Sequence, residues 1–131
     1  VGEVMDELGS QLLLAEDAGV DRSAVVIDPG FGFSKRSEHS MTMLRELERF
    51  ATLDVPVMVG VSRKRFVREA IANTRESGAD SHIAPIEDRD TATAALNVIA
   101  LERGAMLFRV HNVGMNRVAL DAAWATLVVY R

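Results

Sequence analysis

The stretch VVIDPGFGFSK, residues 25–35, runs three apolar residues straight into an Asp, then a Pro-Gly pair, then two phenylalanines interleaved with glycine. An apolar run without polar alternation reads as a strand buried on both faces, and such strands belong to parallel sheets covered by helices. Two further runs have the same character: with AVVID (24–28) stand VPVMVGVS (55–62) and AMLFRVH (105–111). Each is flanked by helical pattern. Met43, Leu44, Leu47, Phe50 and Ala51 follow the first run, RKRFVREAIA follows the second, TATAALNVIALERG leads into the third, and MNRVALDAAWA follows it. Asp88 or Asp90 is the expected N-cap of the third pattern and Gly104 its stop, while Val118, Ala119 and Ala122 fall on one face of the fourth. Strands that alternate with helices make parallel βα units, so the fold class is α/β.

At the N-terminal end, Val4, Leu8, Leu12 and Ala15 recur at helical spacing with Gly19 as the stop. A chain that begins with Val1 inside a helix reads as a piece of something longer. The spacing of the runs agrees. Ser62 lies 34 residues beyond Asp28, close to the roughly 31 of one unit in an eight-unit barrel of about 250 residues. Arg109 lies 47 residues beyond Ser62, which implies an insertion, placed in the polar, Gly- and Pro-broken segment 73–88. That segment is either a lid or substrate loop or a solvated connector. Three strands cannot close a barrel. They form a small open sheet or part of a barrel.

The whole chain has 131 residues, 48% hydrophobic and 26% charged, which suits one globular domain. A net charge of -4 argues against nucleic acid or an anionic membrane as partner. The absence of cysteine excludes disulfides and thiolate metal sites and fits a reducing cytoplasm. No apolar stretch approaches the roughly 20 residues of a membrane span, and no signal peptide is expected ahead of the fold.

In parallel α/β folds chemistry gathers at the C-terminal ends of strands, and here all three ends are functionalised: Asp28, then Ser62, Arg63 and Lys64, then Arg109 and His111. Each has an ordinary reading. Asp28 could be a turn former before Pro-Gly, Arg63 and Lys64 an exposed first helical turn, and His111 a strand-end histidine. Cations at a helix N-terminus oppose its dipole unless an anion binds there, and Arg109 inside an apolar run needs a partner or a ligand anion. Together they suit a flat, donor-rich heterocycle carrying a pyrophosphate. Asp28 would accept paired N–H bonds, Phe31 and Phe33 would offer aromatic surface, and Arg63, Arg109 and His111 would hold the anion.

DPGFGFSK, VGVSRK and RVHNV, in this order after three strands, resemble the C-terminal half of dihydropteroate synthase, a pterin-binding TIM-barrel family. The resemblance covers essentially the whole chain and implies a single partial domain, residues 1–131. It implies a transferase of folate biosynthesis and sulfonamide target, joining 6-hydroxymethyl-7,8-dihydropterin pyrophosphate to p-aminobenzoate. Carried over by position, Asp28 would bind the pterin edge, with Gly60 and Lys64 against the pterin. Ser62, Arg63 and Phe33 would form the p-aminobenzoate side. Arg109 and His111 would bind pyrophosphate, and Lys64 and Arg109 would be the catalytic residues. The resemblance also implies Mg²⁺, with its protein ligand in the N-terminal half, a cytoplasmic homodimer for the complete enzyme, and less than full activity for this portion alone. Asn112 stands where the family commonly has Asp, and Ser34 where Gly is frequent. Two other readings are a non-catalytic half-barrel assembly module and a pterin-dependent methyltransferase acting on a corrinoid. The anion residues of SRK and RVH favour the synthase, because a methyl donor has no pyrophosphate to release.

Overall fold

The structure, a computed structural model, describes residues 1–33, 36–74 and 84–129. Helix α1 (Gly2–Asp17) packs Leu12 inward, with Val4, Met5 and Leu8 beside it. It stops where Gly19 takes φ 88°. The Gly19 N–H bonds Glu16 O and the Val20 N–H bonds Ala15 O, both at 2.9 Å, the paired reverse bonds that a left-handed glycine permits.

The first apolar run forms less strand than expected. Ile27 makes a single parallel bridge to Val57, its N–H bonding Pro56 O at 3.0 Å and its carbonyl accepting from Met58 N–H at 2.8 Å. Pro29, which has no N–H, follows at once, so the ladder cannot run on. The second and third runs give β1 (Val57–Val59) and β2 (Ala105–Phe108), paired in parallel with a register irregularity between Val57 and Met58. Ile27 and β2 lie on opposite edges of β1, because the backbone groups of residues 56 and 58 point to one and those of Val59 to the other.

Around this small sheet stand α2 (Ser37–Arg45), a 3-10 turn (Leu47–Leu53), α3 (Arg65–Thr74), α4 (Ile86–Glu102) and α5 (Val113–Trp124). Val55, Val57, Val59 and Val61 all point into a core with Phe31, Met43, Leu47, Phe50, Phe66 and Val67. The other side of the sheet is apolar but open, with Val26 and Leu107 exposed. Burial on both faces therefore holds here for one face only.

Three local expectations are corrected. Helix α4 begins at Ile86 with Pro85 as its N-cap residue, so neither Asp88 nor Asp90 caps it; Asp88 sits in the first turn and Asp90 is buried within the helix. On α5 Val118 is 72% exposed and the buried residue is Asn116, because the Asn116 side chain hydrogen-bonds Asn97 of α4 and the Asn112 carbonyl, each at 2.8 Å. Phe31 is fully buried, with its ring centroid 6.4 Å from that of Phe66, and offers no face to a ligand. The central part of the expected insertion, 75–83, and Ser34 lie outside the described residues. Among the described residues no helix is long and apolar enough to cross a membrane.

Candidate functional site

The ends of the three parallel segments converge. Asp28 follows the Ile27 bridge. One carboxylate oxygen accepts the Gly30 N–H at 2.9 Å, and the other lies 3.3 Å from Arg109 Nη2. The turn reading of Asp28 holds on one oxygen, and the other faces a guanidinium at the mouth. Arg109 is anchored by its own N–H on Val59 O at 2.9 Å, while its side chain is 60% exposed. An ion pair so open to water contributes little to stability.

The Arg109 guanidinium passes over Gly60. A Cβ there would lie 2.9 Å from Nη2 and 3.3 Å from Nε. Alanine needs no unusual backbone at this position, and the clash falls on the end of a flexible, exposed chain. Gly60→Ala is therefore expected to leave the chain folded while pushing Arg109 off Asp28 and, if this mouth takes an anion, weakening inorganic pyrophosphate binding about tenfold. Thermal denaturation and titration on the same sample check both halves; a normal affinity would show that the close approach is incidental.

Ser62, buried at the end of β1, accepts the His111 N–H at 3.1 Å and stands 2.8 Å from His111 Nδ1. One hydrogen bond therefore ties the Ser62 hydroxyl to the His111 ring, beside the bond from the His111 backbone. Lys64 donates to the Phe31 carbonyl and lies 4.5 Å from the centroid of the Phe33 ring, itself 63% exposed. Phe33, Gly60, Ser62, Lys64, Arg109, Val110 and His111 line one hollow of about 330 Å³. Asp28 joins it through Arg109. Across Phe33 and Lys64 lies a second hollow of about 140 Å³, bounded by Gly32, Ser37, Ser40, Arg65 and Phe66. A protein of net charge -4 thus gathers Lys64, Arg109 and an imidazole at one mouth.

Arg63 is the exception. Its guanidinium lies along Asp90, Nε to Oδ1 at 2.7 Å and Nη2 to Oδ2 at 2.9 Å, so the structure gives it a carboxylate partner and does not set it on the wall of either hollow. The hydrogen bonds from Arg63 hold the Asp90 carboxyl below its ordinary range, against burial, which pushes it up. Sequence reading missed this pair and also missed Arg65, Ser37 and Ser40. The available signal was an Asp four residues inside a helical pattern, which reads equally well as a cap.

Among the described residues no cluster of three or more His, Asp or Glu could hold a metal ion. The mouth pairs one carboxylate with several cations, so these residues do not fit an Mg²⁺ site.

A parallel α/β fold with its charged groups gathered at the strand ends defines a barrel-type enzyme domain. The chain belongs to the pterin binding enzyme family, whose pattern matches residues 1–111. It is 39% identical over 124 residues to a dihydropteroate synthase of Mycobacterium leprae, covering 92% of this chain and 41% of that protein. In three dimensions it resembles dihydropteroate synthase from Xanthomonas albilineans in complex with 7,8-dihydropteroate, with a TM-score of 0.85, 35% identity, and coverage of 97% of this chain and 46% of that one. The same enzyme with 4-aminobenzoic acid matches with a TM-score of 0.86 and 35% identity over 98% of this chain, again 46% of the other. The chain therefore has the architecture of part of a TIM barrel and spans less than half the length of these relatives.

Proposed function

We propose that this chain forms the pterin- and pyrophosphate-binding portion of a dihydropteroate synthase, a cytoplasmic transferase that is a homodimer when whole. Residues 1–131 are then a single partial domain, the C-terminal half of the barrel. The observation that carries this reading is the meeting of Asp28, Gly60, Lys64, Arg109 and the Ser62–His111 pair around one hollow. The ligands named with the Xanthomonas enzyme, 7,8-dihydropteroate and 4-aminobenzoic acid, match the chemistry that this hollow suits.

In the proposed reaction the bond between the pterin's methylene carbon and the pyrophosphate oxygen breaks, and the electron pair leaves with pyrophosphate. The amine of p-aminobenzoate then forms the new C–N bond and loses a proton. Asp28 holds the pterin's N–H edge. Arg109 turns from Asp28 to the departing anion, a swing that its exposed side chain allows, and the His111 ring donates to it. Preorganised donors where charge develops are the strongest catalytic device such a mouth offers. Phe33 and Lys64 border the smaller hollow, whose size fits one benzoate ring. Arg65 and the start of α3 suit its carboxylate.

Calorimetric titration of the 131-residue chain with inorganic pyrophosphate and with 6-hydroxymethylpterin tests the reading. Saturable binding of both is expected. A folded chain that binds neither would mean that these residues make no ligand site within this portion.

A further inference from the structure

The buried face of α4 carries polar residues beside its buried alanines, where a packing helix is ordinarily apolar throughout. Asp90, Thr93 and Asn97 recur at helical spacing and all are buried. A carboxylate withdrawn from water persists only when donors satisfy it, and Asp90 draws its donors from two separate strand ends. Arg63, after β1, supplies the two-pronged contact, and Asn112, after β2, reaches Oδ2 with Nδ2 at 3.4 Å. One turn along, the Thr93 hydroxyl accepts the Arg63 N–H at 3.2 Å and donates to Arg89 O at 2.7 Å. Arg63 itself holds φ 58°, a left-handed conformation that a residue with a side chain keeps only when its surroundings impose it. Arg63 lies between Ser62 and Lys64, and Asn112 follows His111 while its Oδ1 caps α5 through the Met115 N–H at 3.0 Å.

We propose that Asp90 is a positioning residue: its carboxylate locks segments 62–64 and 111–112 together, so that the Ser62–His111 pair and Lys64 face the hollow in one arrangement. Arg63 then serves the site through Asp90. This rests on the reading of the hollow as a pyrophosphate and pterin site. It goes beyond that reading by naming what holds the site's two halves in register.

The test compares Asp90→Asn with the wild type and with Asp90→Glu. Its first readout is amide hydrogen exchange, which needs no ligand. In folded Asp90→Asn, the Lys64 N–H on Val61 O and the His111 N–H on Ser62 Oγ are expected to exchange about tenfold faster, while the Met58 and Arg109 N–H groups in the sheet stay protected. The second readout is inorganic pyrophosphate, whose affinity is expected to fall about tenfold through misplacement alone. Asp90→Glu, which keeps the charge, is expected to recover part of both. Unchanged exchange at Lys64 and His111 in folded Asp90→Asn overturns the proposal, as does slower or faster exchange spread evenly over the sheet, the mark of a merely structural residue. Should Asp90→Asn fail to fold, Arg63→Lys, which leaves the charge but removes the second prong from the more exposed side, carries the same expectations. If the wild type binds no pyrophosphate, the functional reading fails, and exchange still decides whether Asp90 couples the two segments.

Discussion

Asp28→Asn is expected to weaken binding of 6-hydroxymethylpterin by about a hundredfold while leaving the chain folded. The replacement keeps an oxygen for the Gly30 N–H, so the turn before the phenylalanines survives. On the other side an acceptor becomes an NH₂ donor, facing the donors of Arg109 and of the ligand's N–H edge. Hydrogen bonds to a charged group contribute roughly 1.5–3 kcal/mol each, and loss of two of them at the lower end corresponds to about a hundredfold in affinity. The fold tolerates the change, because the ion pair it breaks has an Arg109 side chain that is 60% exposed. Calorimetry beside a thermal melt separates the two effects. An affinity within about threefold of wild type would mean that Asp28 is a turn former only, and the pterin reading of this mouth would fall with it.

The parts of this site visible in the sequence are those written locally. Asp28, Ser62, Lys64, Arg109 and His111 each stand at the end of an apolar run, and the parallel α/β pattern brings such ends to one side whatever the details of pairing. The αL glycine that ends α1 was legible for the same reason, since Gly19 closes a helical period. What was not legible depends on partners far along the chain. Arg63 reads as an anion-binding cation until Asp90, 27 residues away, is seen to face it. Phe31 and Phe33 look alike in DPGFGF, yet one stacks on Phe66 in the core while the other lies open beside Lys64. Strand length was overestimated where Pro29 cuts the ladder to one bridge. The polar part of the buried face of α4 escapes hydrophobic periodicity, because Asp90, Thr93 and Asn97 pair with Arg63, Asn112 and Asn116 from other segments instead of being apolar. Val118 fails in the complementary way, an apolar residue on a face that nothing in the described chain covers.

Arg109→Ala is expected to separate two ligands that wild type binds at one mouth. The substitution leaves the backbone bond from residue 109 to Val59 O in place, so β2 keeps its pairing. It removes the guanidinium from the anion position, where a charge-assisted contact is worth roughly 2 kcal/mol or more, and inorganic pyrophosphate affinity should fall at least about thirtyfold. The same change frees Asp28 from its contact with the Arg109 guanidinium, so 6-hydroxymethylpterin, which carries no phosphate, should bind as well as before or better. In turnover by the complete enzyme the loss should exceed the loss in binding, about a hundredfold or more, because negative charge on pyrophosphate grows as the C–O bond breaks and an interaction strongest there acts on kcat. Lys64→Ala, which removes the cation beside Phe33, should also depress turnover but should leave inorganic pyrophosphate binding less affected than Arg109→Ala does. Near-normal turnover in both variants would sink the assignment of this mouth to pyrophosphate release. Equal weakening of pyrophosphate and pterin by Arg109→Ala would show instead that the guanidinium holds the hollow open as a structural element, and that the anion is bound elsewhere.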